Sequence, residues 1–329
     1  MRNFWQKLNK PFFALAPMAD VTDCAFRKII SKYGKPDVFY TSFVSADGLA
    51  HREARKKLLI HLKYEKSQHP IVAQIFGSNP ENIRSAAKLC ARLGFDGVDI
   101  NMGCPDRAVE KQGAGCGLIK TPEKSKEVIL AAKLGVKDFA RLSGKEEIPI
   151  SVKTRLGYGK LDLAWIKFLL SQDIAALSIH LRTRREMSKV SAHWELMKEI
   201  VSVRDEIRPG TIIIGNGDVQ DLKDARQKAI ETGCDGIMLG RAIFGNPWLF
   251  AEKTPTAGKK LKVLIEHAKL FEKLLGGHES FAVMKKHFKA YLNGFAGAKE
   301  LRQKLMETRN AKEVQKIINE FASNGISGL

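Results

Sequence analysis

Gly97-Val-Asp-Ile-Asn-Met-Gly-Cys-Pro105 is a short apolar run that stops abruptly in an amide, a glycine, a thiol and a proline. Its length and its Gly and Pro boundaries read as a buried strand rather than a helix. Gly103 permits close backbone approach and Pro105 stiffens the exit, so Cys104 falls at a strand tip, presented rather than stored. Free cysteines are usually inert packing residues, so this position alone decides little.

The same pattern recurs outward in both directions. Strand-like runs at 12–16, 38–42, 71–76, 97–101, 148–153, 176–180, 211–215 and 236–239 alternate with amphipathic patterns such as 79–93, 124–140, 161–171, 194–203 and 220–232. Eight strands alternating with helices predict an α/β protein built as a (β/α)8 TIM barrel. An open doubly wound sheet is the alternative, but the first-strand glycine fingerprint is missing, and Gly113-Ala-Gly-Cys-Gly117 does not fit G-x-G-x-x-G. After Pro247-Trp-Leu-Phe250 the strand signals stop. Residues 251–258 read as a linker, giving a barrel domain over 1–250 and a smaller all-helical domain over 251–329.

Composition narrows the function. The 329 residues are 44% hydrophobic and 28% charged, ordinary for a globular protein with ample core. Cysteines 24, 90, 104, 116 and 234 are odd in number and scattered without a C-x-x-C pair, which argues against a disulfide framework and a zinc knuckle and fits a reducing cytoplasm. No metal is expected. Lys10 and Pro17 interrupt the N-terminal apolar run, against a signal peptide, and no segment approaches a membrane span. The net charge of +19 points to a polyanion, with nucleic acid first, since basic surface binds phosphate backbones through counterion release. Residues 251–329 carry 15 Lys and Arg against 8 Glu and no Asp, a net +7, so the tail is the more basic part per residue. Within it, Met284, Phe288, Tyr291 and Leu292 share one helical face, expected to be core packing. Lys285, Lys286 and Lys289 face elsewhere, either as a solvated face or, with Lys299, Arg302, Lys304 and Arg309, as a phosphate track.

Barrel active sites collect at the C-terminal strand ends. Here the tips offer Pro17 and Met18, Gln74, Asn101 and Cys104, Lys153 and Arg155, then His180 with Arg182, Arg184 and Arg185. The last two give Asn216-Gly217-Asp218 and Gly240-Arg241, where glycine-freed N–H groups and an arginine suit a phosphate monoester. With Gln74, Lys153 and His180 this makes a binding set for flavin mononucleotide, the lysine stabilising an anionic reduced ring.

Seven ordered motifs, Ala16-Pro-Met-Ala-Asp-Val-Thr-Asp23, Val72-Ala-Gln-Ile-Phe-Gly77, Asn101-Met-Gly-Cys-Pro105, Val152-Lys-Thr-Arg-Leu-Gly157, Ile179-His180 with Arg182-Thr183-Arg184, Asn216-Gly-Asp-Val219 and Gly240-Arg-Ala with Gly245-Asn-Pro-Trp248, together resemble the tRNA-dihydrouridine synthase family. In the tail, Met284-Lys-Lys-His287 and Gly297-Ala-Lys-Glu-Leu-Arg302 are similar to its helical RNA-binding domain. The resemblance implies an FMN flavoprotein that reduces the C5=C6 bond of uridine in tRNA and is recharged by NADPH. It implies that Met18 and Gln74 flank the flavin ring, that Lys153 and His180 contact it, and that Asn216, Gly217, Asp218, Gly240 and Arg241 hold its phosphate, with Pro17 on the cofactor side. Cys104 would be the proton donor to C5, discharging the charge that hydride delivery to C6 leaves. Asn101 would orient the uracil and Arg155 meet a substrate phosphate or carbonyl, while Arg182, Arg184, Lys285, Lys286 and Arg302 would contact RNA. A monomer without a stable protein partner is expected.

Three departures from the family pattern stand out: Thr41-Ser42 in place of Thr-Glu, His180-Leu181-Arg182-Thr183 in place of His-Gly-Arg-Thr, and an additional thiol at Cys116, expected to be packing. Two other functions fit less of the chain. A flavin barrel acting on a free pyrimidine has no use for a basic tail, and an RNA-binding protein without redox chemistry has no use for the flavin-suited tips.

Overall fold

The computed structural model describes residues 3–323. Its strands are β1 (Phe12–Leu15), β2 (Phe39–Tyr40), β3 (Val44–Ser45), β4 (Ile71–Phe76), β5 (Gly97–Met102), β6 (Ile150–Arg155), β7 (Ala176–His180), β8 (Ile212–Asn216) and β9 (Gly236–Leu239). All named strand pairings are parallel, in the order β1-β9-β8-β7-β6-β5-β4-β2. A bridge between Ala14 and Val38 closes the ring, so the fold is a (β/α)8 barrel.

Side chains alternate across each strand, and this sets what each face does. Phe12, Ala14, Tyr40, Val72, Ile212, Ile214 and Met238 fill the barrel interior together with Trp5. Their neighbours Leu15, Ile71, Ile100, Val152, Ile179, Ile213 and Leu239 pack outward beneath the helices. The same period directs Gln74, Asp99, Asn101, Ser151, Lys153, Ser178, His180 and Asn216 inward, above the apolar layer, so polar residues in hydrophobic runs become the upper lining. Register confirms the layering: Gln74 pairs with Asp99, Asn101 with Lys153, and His180 with Asn216.

Local chemistry starts the helices. Asp23, Asn79 and Asp221 cap helices Cys24–Tyr33, Pro80–Arg92 and Leu222–Thr232 through side-chain oxygens that accept backbone N–H groups. The C-terminal region is helical: Ala257–Leu275, Met284–Tyr291, Ala298–Met306 and Ala311–Ser323. Met284, Phe288, Tyr291 and Leu292 are buried, as the stripe predicts. They belong to the same continuous core as Phe26 on the barrel helix Cys24–Tyr33, so the helical region shares packing with the barrel. Between them, His267 and His287 lie fully buried, their rings 5.0 and 4.7 Å from Phe26.

Several boundaries differ from expectation. Of residues 38–42, read as one strand, Phe39–Tyr40 form β2; β3, Val44–Ser45, lies beyond them, both pair to β4, and Thr41 accepts the Gln74 N–H through Oγ1 at 3.0 Å. β6 continues two residues past Lys153, and β8 ends at Asn216. Trp194–Leu196 is a 3-10 turn and the following helix runs Met197–Ile207. Residues 324–329 of the expected helical domain lie outside the described residues. Among the described residues no helix is long and apolar enough to cross a membrane.

Candidate active site

A cavity of about 260 Å³ opens at the C-terminal ends of β1 and β6 to β9. It is lined by Pro17, Met18, Lys153, His180, Asn216, Gly217, Asp218, Gly240 and Arg241, so nine of the ten residues expected on the cofactor side meet in one place. Gln74, the tenth, does not line it. It is fully buried with its amide engaged at both ends: Nε2 donates to Asp99 Oδ2 at 2.7 Å, and Oε1 accepts from Asn101 Nδ2 at 3.0 Å.

The cavity has a basic character built from differently held groups. Lys153 Nζ donates to Asn216 Oδ1 at 3.2 Å. Burial, aided by the Arg155 charge, pulls its pKa down to about 8 against the attraction of Asp99. His180 is held down to about 2 by burial and the surrounding cations Arg155, Lys153, Arg182 and Arg241, so the imidazole is neutral. Its Nε2 lies 3.3 Å from Arg182 Nη1, which can only donate, so the imidazole proton sits on Nδ1.

At the other end, Gly217 has φ +136° and a Cβ there would stand 2.8 Å from Ala192, so the tip requires glycine. Asp218 follows in the left-handed region and organises the loop. It pairs with Arg182 and, at 2.6 Å, with Arg241, and accepts from Ala192 N at 2.9 Å. Burial opposes its ionisation, but the hydrogen bonds from Arg182 and Ala192 and the two guanidinium charges hold the carboxyl below its usual range. The backbone N–H groups of Gly217, Asp218, Gly240 and Arg241 have no acceptor among the described residues. Free N–H donors beside an exposed arginine fit a phosphate, and a half-buried cation beside a neutral imidazole fits an electron-rich ring.

Cys104 follows β5. Asn101 Oδ1 accepts the N–H of Gly103 at 3.0 Å and of Cys104 at 2.9 Å, a turn that Gly103 permits because a Cβ would press on the Thr154 backbone at 3.2 Å. Cys104 is half-buried, and the other four cysteines are buried. Burial raises the Cys104 thiol above its ordinary value and pushes Cys116 up to about 12.

The arginines are placed otherwise than their tip positions suggest. Arg155, expected to meet a substrate, is buried, with Nε donating to Gly103 O at 2.9 Å and Nη1 to Thr183 O and Met187 O at 3.1 and 3.2 Å. Arg182, expected to contact RNA, is 2% exposed and committed to Asp218 and Val190 O. Arg184 makes a two-pronged pair with Glu110 at 2.6 and 3.0 Å. Arg155 and Arg184 brace the Cys104 turn, through Gly103 O and Pro105 O, whereas Arg182 braces the loop after β8. Arg185 remains exposed, Lys285 and Arg302 are half-exposed, and Lys286 pairs at 2.9 Å with Asp20, two residues beyond Met18. The helix Met284–Tyr291 is therefore tied to the loop that follows β1. Sequence reasoning missed Asp99, a carboxylate whose signal was its place inside the run Val-Asp-Ile, and Glu110, for which no signal was visible.

Comparison with known proteins places the chain among relatives. A model described as Dihydrouridine synthase (Dus) matches residues 14–325. A "Probable tRNA-dihydrouridine synthase" of Staphylococcus aureus (strain Mu50) is 44% identical over 97% of this chain and 95% of its own. A "Probable tRNA-dihydrouridine synthase 2" of Bacillus subtilis (strain 168) is 43% identical over 99% of both. Among solved structures, a 6-hydroxypseudooxynicotine amine oxidase of Pseudomonas geniculata N1 aligns with TM-score 0.52 at 10% identity over 84% of this chain and 52% of its own. A 2-naphthoyl-CoA reductase aligns with TM-score 0.51 at 12% identity over 73% of this chain and 49% of its own. These two likenesses concern the fold alone.

Proposed function

This chain belongs to the dihydrouridine synthase family, and from that premise we propose that it uses FMN and NADPH to reduce the C5=C6 bond of uridine in tRNA, with Cys104 as the proton donor. The observation that carries the reading is the single cavity lined by nine expected cofactor residues, with free N–H donors and Arg241 at one end and Lys153 and His180 at the other.

Asn216, Gly217, Asp218, Gly240 and Arg241 hold the phosphate of FMN, and Met18, Lys153 and His180 meet its ring. Bound there, FMN would supply, once reduced by NADPH, the hydride that adds to uracil C6. Lys153 balances negative charge at the pyrimidine edge. His180, neutral, serves as a hydrogen-bonding group rather than a second cation. Cys104 gives its Sγ proton to C5, and its raised pKa keeps the thiol protonated at neutral pH. Arg155 and Asn101 hold the turn that carries the thiol.

A uridine in folded tRNA must leave its stack, at a cost of a few kcal/mol that phosphate contacts offset. Lys285, Lys286, Arg302 and the exposed Arg185 supply such contacts, with residues 251–329 acting as the RNA-binding domain beside a catalytic domain over 1–250. The test is direct: protein purified without added flavin should be yellow, release FMN on denaturation, and form dihydrouridine in unmodified tRNA with NADPH. A colourless protein that cannot be reconstituted with FMN would end this reading.

A further inference from the structure

A chain of buried hydrogen bonds runs from the barrel core to the backbone of Cys104, and it starts at a residue to which the proposed mechanism gives no role. Ser151 Oγ donates to Asp99 Oδ1 at 2.6 Å, Gln74 Nε2 donates to Asp99 Oδ2 at 2.7 Å, and Asn101 Nδ2 donates to Gln74 Oε1 at 3.0 Å. Asn101 Oδ1 then accepts from Gly103 N and Cys104 N. Asp99, Gln74 and Asn101 are each at least nine-tenths buried.

The direction of this chain is not arbitrary. An amide side chain has an acceptor end and a donor end of nearly equal shape, so packing alone does not choose which way Gln74 or Asn101 points. An ionised carboxylate accepts and never donates. Asp99 therefore compels Gln74 to present Nε2 to it and Oε1 to Asn101, which compels Asn101 to present Nδ2 to Gln74 and Oδ1 to the Cys104 turn. The reverse arrangement would set acceptor against acceptor at Asp99 and donor against donor at the Gly103 and Cys104 N–H groups, a costly mismatch in a buried site.

We propose that Asp99 is a positioning residue for the reaction: one carboxylate in the barrel core fixes the orientation of the Gln74 amide and of the Asn101 amide two strand positions above, and thereby the placement of the Cys104 thiol in the turn that follows. The inference rests on the assignment of Cys104 as proton donor. It explains a carboxylate at the centre of an apolar strand, where an unpaired charge would otherwise be destabilising. It also requires the acceptor at position 99 to matter more than its charge, since the chain carries direction through hydrogen-bond polarity.

The test uses the full-length, FMN-loaded protein and two readouts. Iodoacetamide modification, followed by mass spectrometry without tRNA, reads Cys104 because the other four cysteines are buried; dihydrouridine formation reads the reaction. Asp99→Leu keeps the side chain's branched shape and removes the acceptor. It should lower kcat at least about tenfold with KM for tRNA within about twofold, and shift the Cys104 alkylation rate at least about threefold. Asp99→Asn can still offer Oδ1 to Gln74 while its amide donates to the Ser151 hydroxyl, so it should restore both readouts to within about threefold of wild type. If Asp99→Leu does not fold, Asn101→Asp breaks the chain midway with little change of shape, and alkylation should shift in the same way. Unchanged alkylation in whichever of these variants folds, or an Asp99→Asn as impaired as Asp99→Leu, would overturn the proposal. A wild type that alkylates normally yet makes no dihydrouridine would instead overturn the functional reading and leave the alkylation comparison standing.

Discussion

Asn101 accepts the backbone N–H of Cys104 at 2.9 Å while standing in register beside Lys153 on the neighbouring strand. The turn that carries the thiol and the Lys153 cation thus hang from one layer of the barrel. Strand register sets Asn101 beside Lys153, and the Asn101 side chain holds the turn that carries Cys104.

A first consequence concerns pH. The acid must be protonated to act, and burial raises the Cys104 pKa, so proton donation holds through the neutral range; single-turnover reduction should stay level from about pH 6.5 to about pH 7.5 and begin to decline at about 8, where Lys153 loses its charge. His180, held at about 2, contributes no step in that window. Rates measured with pre-reduced enzyme check this; a limb centred near pH 6.5 would mean that a histidine, not the thiol, controls proton transfer.

Arg241 is well exposed and faces the free N–H groups of the β8 and β9 tips. Arg241→Ala should weaken FMN binding roughly tenfold to a hundredfold, as expected for a lost charged hydrogen bond, most visibly at high salt. Flavin occupancy after dialysis reads it directly, and full occupancy would remove Arg241 from the phosphate cradle.

The helical region should detach from the barrel core as pH falls. Burial pulls His287 down to about 3 and His267 well below its ordinary value, and none of the four ring nitrogens has a hydrogen-bond partner among the described residues. Unfolded, both titrate near about 6.5, so below that pH the unfolded chain binds protons that the folded chain refuses. Stability is therefore retained above about 6.5 and lost as pH drops, by at most on the order of 1.4 kcal/mol per pH unit for each histidine. Urea midpoints at about pH 5 and about pH 7.5 should converge in His287→Phe relative to wild type; an unchanged gap would contradict the sign.

Reversing Lys285, Lys286 and Arg302 to Glu should weaken tRNA binding and flatten its salt dependence by roughly two to three units of slope, while flavin content stays normal. Charge reversal is preferable to deleting residues 251–329, because Met284, Phe288 and Tyr291 share the core of Phe26 and truncation would expose it. An unaltered salt slope would move the RNA contacts elsewhere.

Period-two alternation and tip chemistry were enough to read the barrel and to gather nine cofactor candidates, because both depend on neighbours in sequence. What stayed hidden depends on partners far along the chain. Arg182 at a strand tip looks free until Asp218, 36 residues later, folds beside it. Arg184 gives no hint of Glu110, and Gln74 gives none of Asp99. The early end of the second strand was equally invisible, since the Thr41 side chain takes the Gln74 N–H while its own N–H still donates to Val72 O.

The most direct measurement is to map dihydrouridine in tRNA from cells that lack this protein and are complemented with wild type, Cys104→Ala or Cys116→Ala. The account predicts that wild type and Cys116→Ala restore the modification at the same uridines, while Cys104→Ala, though still carrying FMN, loses about a hundredfold or more of the reduction rate expected of a lost general acid. Full restoration by Cys104→Ala, or equal loss from both substitutions, would contradict it.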